Sequence, residues 1–115
     1  MPYLKLDTNL KLDAKTTQDL LGKCSSRISS VLGKSENYIM IHINSDQSMM
    51  FAGSPEPLAY LELKSIGLQY NQAQALSALL CEFIAEELNI HANRIYIEFT
   101  DIPREMWGWD GRTFG

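Results

Sequence analysis

LLGKCSSRISSVLGKSENYIMI, Leu20 to Ile41, and LSALLCEFIAEELNIHANRIYI, Leu76 to Ile97, are one pattern written twice. In the first, Leu20, Leu21, Cys24, Ile28, Val31 and Leu32 recur at helical spacing and predict one buried stripe. In the second, Leu76, Leu79, Leu80, Phe83, Ile84 and Leu88 do the same. At a constant offset of 56 residues Leu20 falls on Leu76, Cys24 on Leu80, Ile28 on Ile84 and Leu32 on Leu88. Beyond the helices, Asn37 falls on Asn93, Ile39 on Ile95 and Ile41 on Ile97, inside segments that read as strands. A repeat of this length marks a duplicated supersecondary unit.

Each helix follows a strand. Tyr3 to Leu6 alternates apolar and polar, and Leu58 to Ile66 is a long strand ending at Gly67. Asp13 is placed to cap the first helix and Gly33 to end it. Asn71, with Gln74 three places on, resembles a capping box for the second. Tyr38 to Asn44 and Arg94 to Phe99 close the two units, and Met49-Met50-Phe51 reads as a further short apolar strand. The chain is therefore expected to be α+β: two βαβ copies forming a four-stranded mixed sheet in a two-layer α/β arrangement. Right-handed crossovers put both helices on one face of that sheet.

The other face is then bare. Ile39, Ile41 and Ile43 can point to the helices while Tyr38, Met40 and His42 point away, and Tyr60 and Glu62 alternate likewise with Leu61 and Leu63. Such a face is half solvated or covered by a partner. Open apolar edges at 49–51 and in the Trp- and Gly-rich tail from Met106 to Gly115 favour another copy of the chain, so a closed homo-oligomer is expected.

With 115 residues the chain is read as a single domain, 1–115. A net charge of −4 without a concentrated basic stretch argues against nucleic acid. No apolar run approaches the length of a membrane span, and the N-terminus has no secretory pattern. Cys24 and Cys81 fall among leucines on helix faces and read as buried thiols of a reducing compartment, not as a disulfide or metal ligands. The cytoplasm is the expected location, with export lacking a signal peptide as an alternative.

Met1-Pro2 opens the first strand. A small residue after an initiator methionine favours its removal, which would leave Pro2 as a secondary amine: a rigid base held at a strand root. Taken by itself, Pro2 reads first as an ordinary, degradation-resistant second residue. Lys34, just past the helix-ending glycine, reads by itself as a complement to the helix dipole. His42 and His91 read as surface or helix-end residues, and Lys64 as a solvent-facing or interface cation.

Several stretches together resemble the macrophage migration inhibitory factor family of the tautomerase superfamily. They are Pro2, Asp46-Gln47-Ser48-Met49-Met50-Phe51-Ala52-Gly53-Ser54, Ser65-Ile66-Gly67, Arg94-Ile95-Tyr96-Ile97, Gly108-Trp109 and Thr113-Phe114. The resemblance implies a homotrimer whose sheets face inward, with pockets at the subunit interfaces. It implies keto–enol tautomerisation of small aromatic α-keto acids such as phenylpyruvate, or of dopachrome-like compounds, with neither metal nor cofactor. Pro2 matches the catalytic general acid/base. Lys34 matches the cation that holds the substrate carboxylate, and Ile66, with Ser65 beside it, a backbone contact to it. Tyr96 matches a tyrosine supplied by the neighbouring subunit. Tyr3, Trp107, Trp109 and Phe114 fall where the family lines its pocket mouth.

Two positions depart from the family pattern. Glu98 stands where the vertebrate members carry an asparagine, so a carboxylate is expected near the proline. Leu58-Ala59-Tyr60-Leu61 stands where they carry a Cys-x-x-Cys motif, and without a thiolate the thiol–disulfide activity is not expected here. The alternative reading is a cytokine-like, receptor-binding protein whose pocket is weak or vestigial.

Overall fold

The computed structural model describes residues 1–115. Strand β1 (Tyr3–Thr8) leads into helix α1 (Ala14–Leu32) and strand β2 (Met40–Asn44). Strand β3 (Ala59–Ser65), helix α2 (Tyr70–Leu88) and strand β4 (Ile95–Asp101) repeat that order. The sheet runs β2-β1-β3-β4. β1 pairs with β2, and β3 with β4, in parallel, while β1 and β3 are antiparallel with Leu4 opposite Leu63 and Leu6 opposite Leu61. The duplicated βαβ unit and the mixed sheet are as expected.

The repeat extends to the turns. Both helices are 19 residues long, and each is followed by a single 3₁₀ turn, Glu36–Tyr38 and Ala92–Arg94. Asp13 caps α1, its Oδ1 accepting from the Thr16 N–H at 2.7 Å. Gly33 ends it at φ 64°, and Asn89 ends α2 at φ 53°, a conformation asparagine tolerates better than most residues. α2 begins one residue before the expected Asn71. Its first turn is stabilised by Gln72, whose side-chain oxygen accepts from the Gln69 N–H at 2.8 Å, instead of by the Asn71/Gln74 pair.

Leu4, Leu6, Leu61 and Leu63 point inward from the two central strands and pack with Cys24, Ile28, Leu80 and Ile84 from the helices. Leu79, read into the second stripe, and Cys81, read as a buried thiol, behave differently from expectation. Leu79 is exposed because it sits on the shoulder of a stripe already filled by Leu76, Leu80 and Phe83. Cys81 is half-buried, with its thiol donating to the Ala92 carbonyl at 3.4 Å. Cys24 is fully buried, and burial pushes its thiol up to about 12, so it stays protonated.

The expected strand at 49–51 is absent. Ala52 (φ 53°) and Gly53 (φ 72°) turn the chain back on itself, so Phe51 pairs with Ser54 of its own loop. The two successive positive φ angles make a tight hairpin turn, and the pairing across it stops at that single bridge. Arg94 then holds the loop, its guanidinium donating to the carbonyls of Phe51, Ser54, Glu56 and Pro57 at 2.9–3.2 Å. The strand expected at Tyr38 begins instead at Met40, because the 3₁₀ turn takes up Glu36–Tyr38. Leu61→Ala, at the fully buried centre of β3, is expected to lower stability by about 2–5 kcal/mol in urea unfolding, and exposed Leu79→Ala by no more than about 0.5 kcal/mol.

Candidate active site

Because β1 and β3 are antiparallel, the start of the chain lies against the end of β3. Tyr3 stands opposite Lys64, and the Pro2 carbonyl accepts from the Met40 N–H at 3.1 Å, which ties Pro2 to the start of β2 as well. The Pro2 side chain is fully buried. Three more segments border Met1-Pro2: the C-terminal tail at Pro2 itself, and the α1 terminus and the turn after β3 at Met1.

Gly33 turns the chain out of α1 and delivers Lys34. Its backbone is fixed at both ends, the N–H donating to the Ser29 carbonyl at 3.2 Å and the carbonyl accepting from Ser29 Oγ at 2.6 Å. The Lys34 ammonium donates to Ser65 Oγ at 3.0 Å and to the Ile66 carbonyl at 2.6 Å. An ammonium has three donors, so one is left for a ligand. Gly67 turns at φ 78°, and its N–H donates to Asp101 Oδ1 at 3.0 Å, which brings a carboxylate behind the lysine.

The tail folds over Pro2 as a second hairpin. β5 (Gly108–Trp109) and β6 (Arg112–Thr113) are joined by Asp110 and Gly111, both at positive φ, an Asp-Gly turn of the type that favours hairpins. The hairpin stacks Trp109 on Phe114, with ring centroids 5.7 Å apart and planes 9° from parallel. Tyr38 meets Trp109 edge-on at 5.8 Å.

These segments enclose a depression with two lobes that share Met1, Tyr38 and Phe114. The apolar lobe, about 310 Å³, is walled by Pro2, Tyr3, Ile39, Trp107 and Trp109. The cationic lobe, about 460 Å³, is walled by Lys34, Ser35, Ile66, Gly67 and Arg104. No Asp or Glu lines either lobe. Burial holds the amine at the head of the chain below its ordinary value, and the Lys34 charge pushes it the same way. Burial also lowers Lys34, while Asp101 partly restores it. The arrangement offers an amine, here that of Met1, held below its ordinary value, a cation that acts on it and flat aromatic walls, which suits a small aryl anion.

The family model for macrophage migration inhibitory factor (MIF) matches residues 1–115. The chain belongs to the MIF family. That family lies within the tautomerase superfamily. Among its relatives are the macrophage migration inhibitory factor homolog of Brugia malayi, 41% identical over the full length of both chains, and the macrophage migration inhibitory factor of Xenopus tropicalis, 38% identical over 99% of each. The solved structure of the homologue from Prochlorococcus marinus superimposes with a TM-score of 0.91 at 39% identity, covering 98% of this chain and 99% of that one. The factor from Trichinella spiralis gives 0.89 at 34%, covering 96% and 98%.

Of the residues singled out from the MIF pattern, Pro2, Tyr3, Lys34, Ile66, Trp107, Trp109 and Phe114 line the depression, and Ser65 reaches it through Lys34. Tyr96 and Glu98 do not. They lie on the bare face of the edge strand β4, where Tyr96 packs edge-on against Phe51 at 4.8 Å and Glu98 stands opposite Glu62. There burial, and then the Glu98 charge, raises the Tyr60 hydroxyl. Tyr38 and Arg104 line the site without having been singled out. The signal for Tyr38 was its place between Lys34 and a strand start; Arg104 had only its position before the two tryptophans.

Lys34→Met is expected to raise the pKa of the N-terminal amine, because it removes a positive charge that disfavours the ammonium. NMR titration of the labelled first residue checks this; an unchanged value would show that the lysine charge does not reach the amine.

Proposed function

We propose that this MIF-family chain is a cofactor-independent keto–enol tautomerase acting on small aromatic α-keto acids such as phenylpyruvate, or on dopachrome-like compounds. The observation that carries the reading is that Pro2 and Lys34 line adjoining lobes of one depression free of carboxylates, where burial and the Lys34 charge hold the Met1 amine below its ordinary value. Removal of Met1 transfers that amine to Pro2 and opens the wall that Met1 now covers.

The amine of Pro2 takes a proton from the carbon next to the keto group. The C–H electron pair becomes the new C=C bond, and the proton finishes on the former keto oxygen. Substrate and product have the same atoms and the same oxidation level, so the reaction calls for no redox partner. Lys34 holds the carboxylate with its free donor, and its charge stabilises the negative charge that develops on the oxygen. The stacked Trp109 and Phe114 hold the aryl ring.

The same reading makes the chain a homotrimer in which each neighbour contributes Tyr96 and Glu98 to the pocket. Exposed Met40 and Tyr96 on the bare sheet face support it. A cytoplasmic site of action, with leaderless export as the alternative, goes with it. The rival is a receptor ligand with a vestigial pocket, suggested by the relatives' name.

Pro2→Gly is expected to lower kcat/KM for phenylpyruvate by about 10²-fold or more, the usual contribution of a positioned proton carrier. Equal rates for the two proteins would overturn the tautomerase reading and favour the receptor ligand. The base works unprotonated, so kcat/KM must rise with pH as the ammonium loses its proton. Burial and the Lys34 charge lower the Met1 amine, and the same two causes acting on the Pro2 amine should place the midpoint of that rise below that of a free N-terminal proline. Lys34→Ala should move the midpoint to higher pH as well as weaken substrate binding.

A further inference from the structure

Lys34 and Arg104 line the same lobe, one from the end of α1 and the other from the turn Arg104–Met106. Their situations differ. Lys34 spends two donors on Ser65 and Ile66 and has the Asp101 charge at its back. The Arg104 side chain makes no ion pair and no hydrogen bond within the chain, although ten of its residues are basic and fourteen acidic. Its backbone is held: the Arg104 carbonyl accepts from the Trp107 N–H, and the Met106 N–H donates to Pro103 across the same turn. A guanidinium carries five donors in a planar fork matched to a carboxylate. Here that fork stands unpaired at a cavity wall without acids.

One carboxylate is served by the free donor of Lys34. Arg104 is surplus to that need, and in a chain of net charge −4 a cation focused at a cleft with no counter-ion attracts anions selectively. We infer that Arg104 is a specificity determinant, and that the preferred substrate is a keto acid with a second anionic group, bound at Arg104 while Lys34 holds the first. This rests on the tautomerase reading and narrows its substrate class: dianionic α-keto acids over simple aryl ones. The apolar lobe still receives the flat carbon frame, since it joins the cationic lobe at Tyr38 and Phe114.

The test compares phenylpyruvate with 4-carboxyphenylpyruvate, which differs by one carboxylate. The wild-type protein should favour the dianion in kcat/KM, and Arg104→Ala should lower the dianion-to-monoanion ratio by about tenfold or more, the scale of one charge-assisted contact. Arg104→Lys should recover part of the ratio. Lys15→Ala, which removes a positive charge on the exposed side of α1, should leave it unmoved. A ratio that Arg104→Ala does not change, or that Lys15→Ala changes equally, overturns the assignment while the tautomerase reading stands. Turnover of neither compound overturns the tautomerase reading instead. The subsite is then judged by quenching of the only two tryptophans, Trp107 and Trp109. Tighter binding of the dianion that is lost in Arg104→Ala upholds it, and equal binding of the two compounds overturns it.

Discussion

The antiparallel pairing of β1 with β3 is the contact on which the rest of the molecule depends. It is the only junction in the sheet between the two repeats, and it places Leu4 on Leu63 and Leu6 on Leu61 at the centre of the core. A parallel junction would have set the head of β1 beside the head of β3. Being antiparallel, it sets Pro2 next to the end of β3, where the chain turns through Ile66 and Gly67. The parallel partner β2 contributes its own start, at Met40, to the same end. Since α1 must run back over the sheet to reach β2, its C-terminus and Lys34 arrive there too. The site is a consequence of topology before it is a matter of side chains.

Much of this was legible because duplication tests itself. A single amphipathic stripe is weak evidence, whereas two stripes in register over helices, caps and strands exclude most other readings. The helical elements and their 3₁₀ turns repeat at the offset read from Leu20 and Leu76. Legibility failed where the repeat has no say. Met49-Met50-Phe51 has strand composition, but positive φ at Ala52 and Gly53 and the four carbonyls gathered by Arg94 make it a loop. Leu79 is apolar at a helical position and still exposed, because apolarity does not say which residue of a crowded stripe reaches the core.

The site was legible to a different degree for each residue. Lys34 and Pro2 mean little by spacing alone, and the family pattern gave them roles before geometry brought them together. Tyr38 and Arg104 escaped because their parts are set by tertiary approach: one by the tail hairpin closing on Trp109, the other by a turn aimed at a cavity that exists only when α1, β3 and the tail meet. The Asp110-Gly111 pair was a readable hairpin signal for that tail. Glu98 is a different case: it shares a strand face with Tyr96, within one chain its charge raises the Tyr60 hydroxyl, and its expected place beside the proline is one that only a neighbouring subunit could complete.

Electrostatics ties the parts together. The Met1 amine and Lys34 each suffer from burial, and the lysine charge lowers the amine further, so under the proposed tautomerase reading the cation that would hold an anion would also prepare the base. Carried too far, this would deprotonate Lys34 and leave its lobe without that charge. Asp101 opposes that from outside the cavity: it is anchored by the Gly67 N–H and supports the ammonium without lining either lobe. A carboxylate in the lobe itself would stabilise the lysine equally well but would repel an anionic ligand and raise the amine. Keeping the counter-charge behind the wall leaves a lowered amine and a lysine cation facing adjoining lobes of one depression, and that separation depends on the left-handed turn at Gly67.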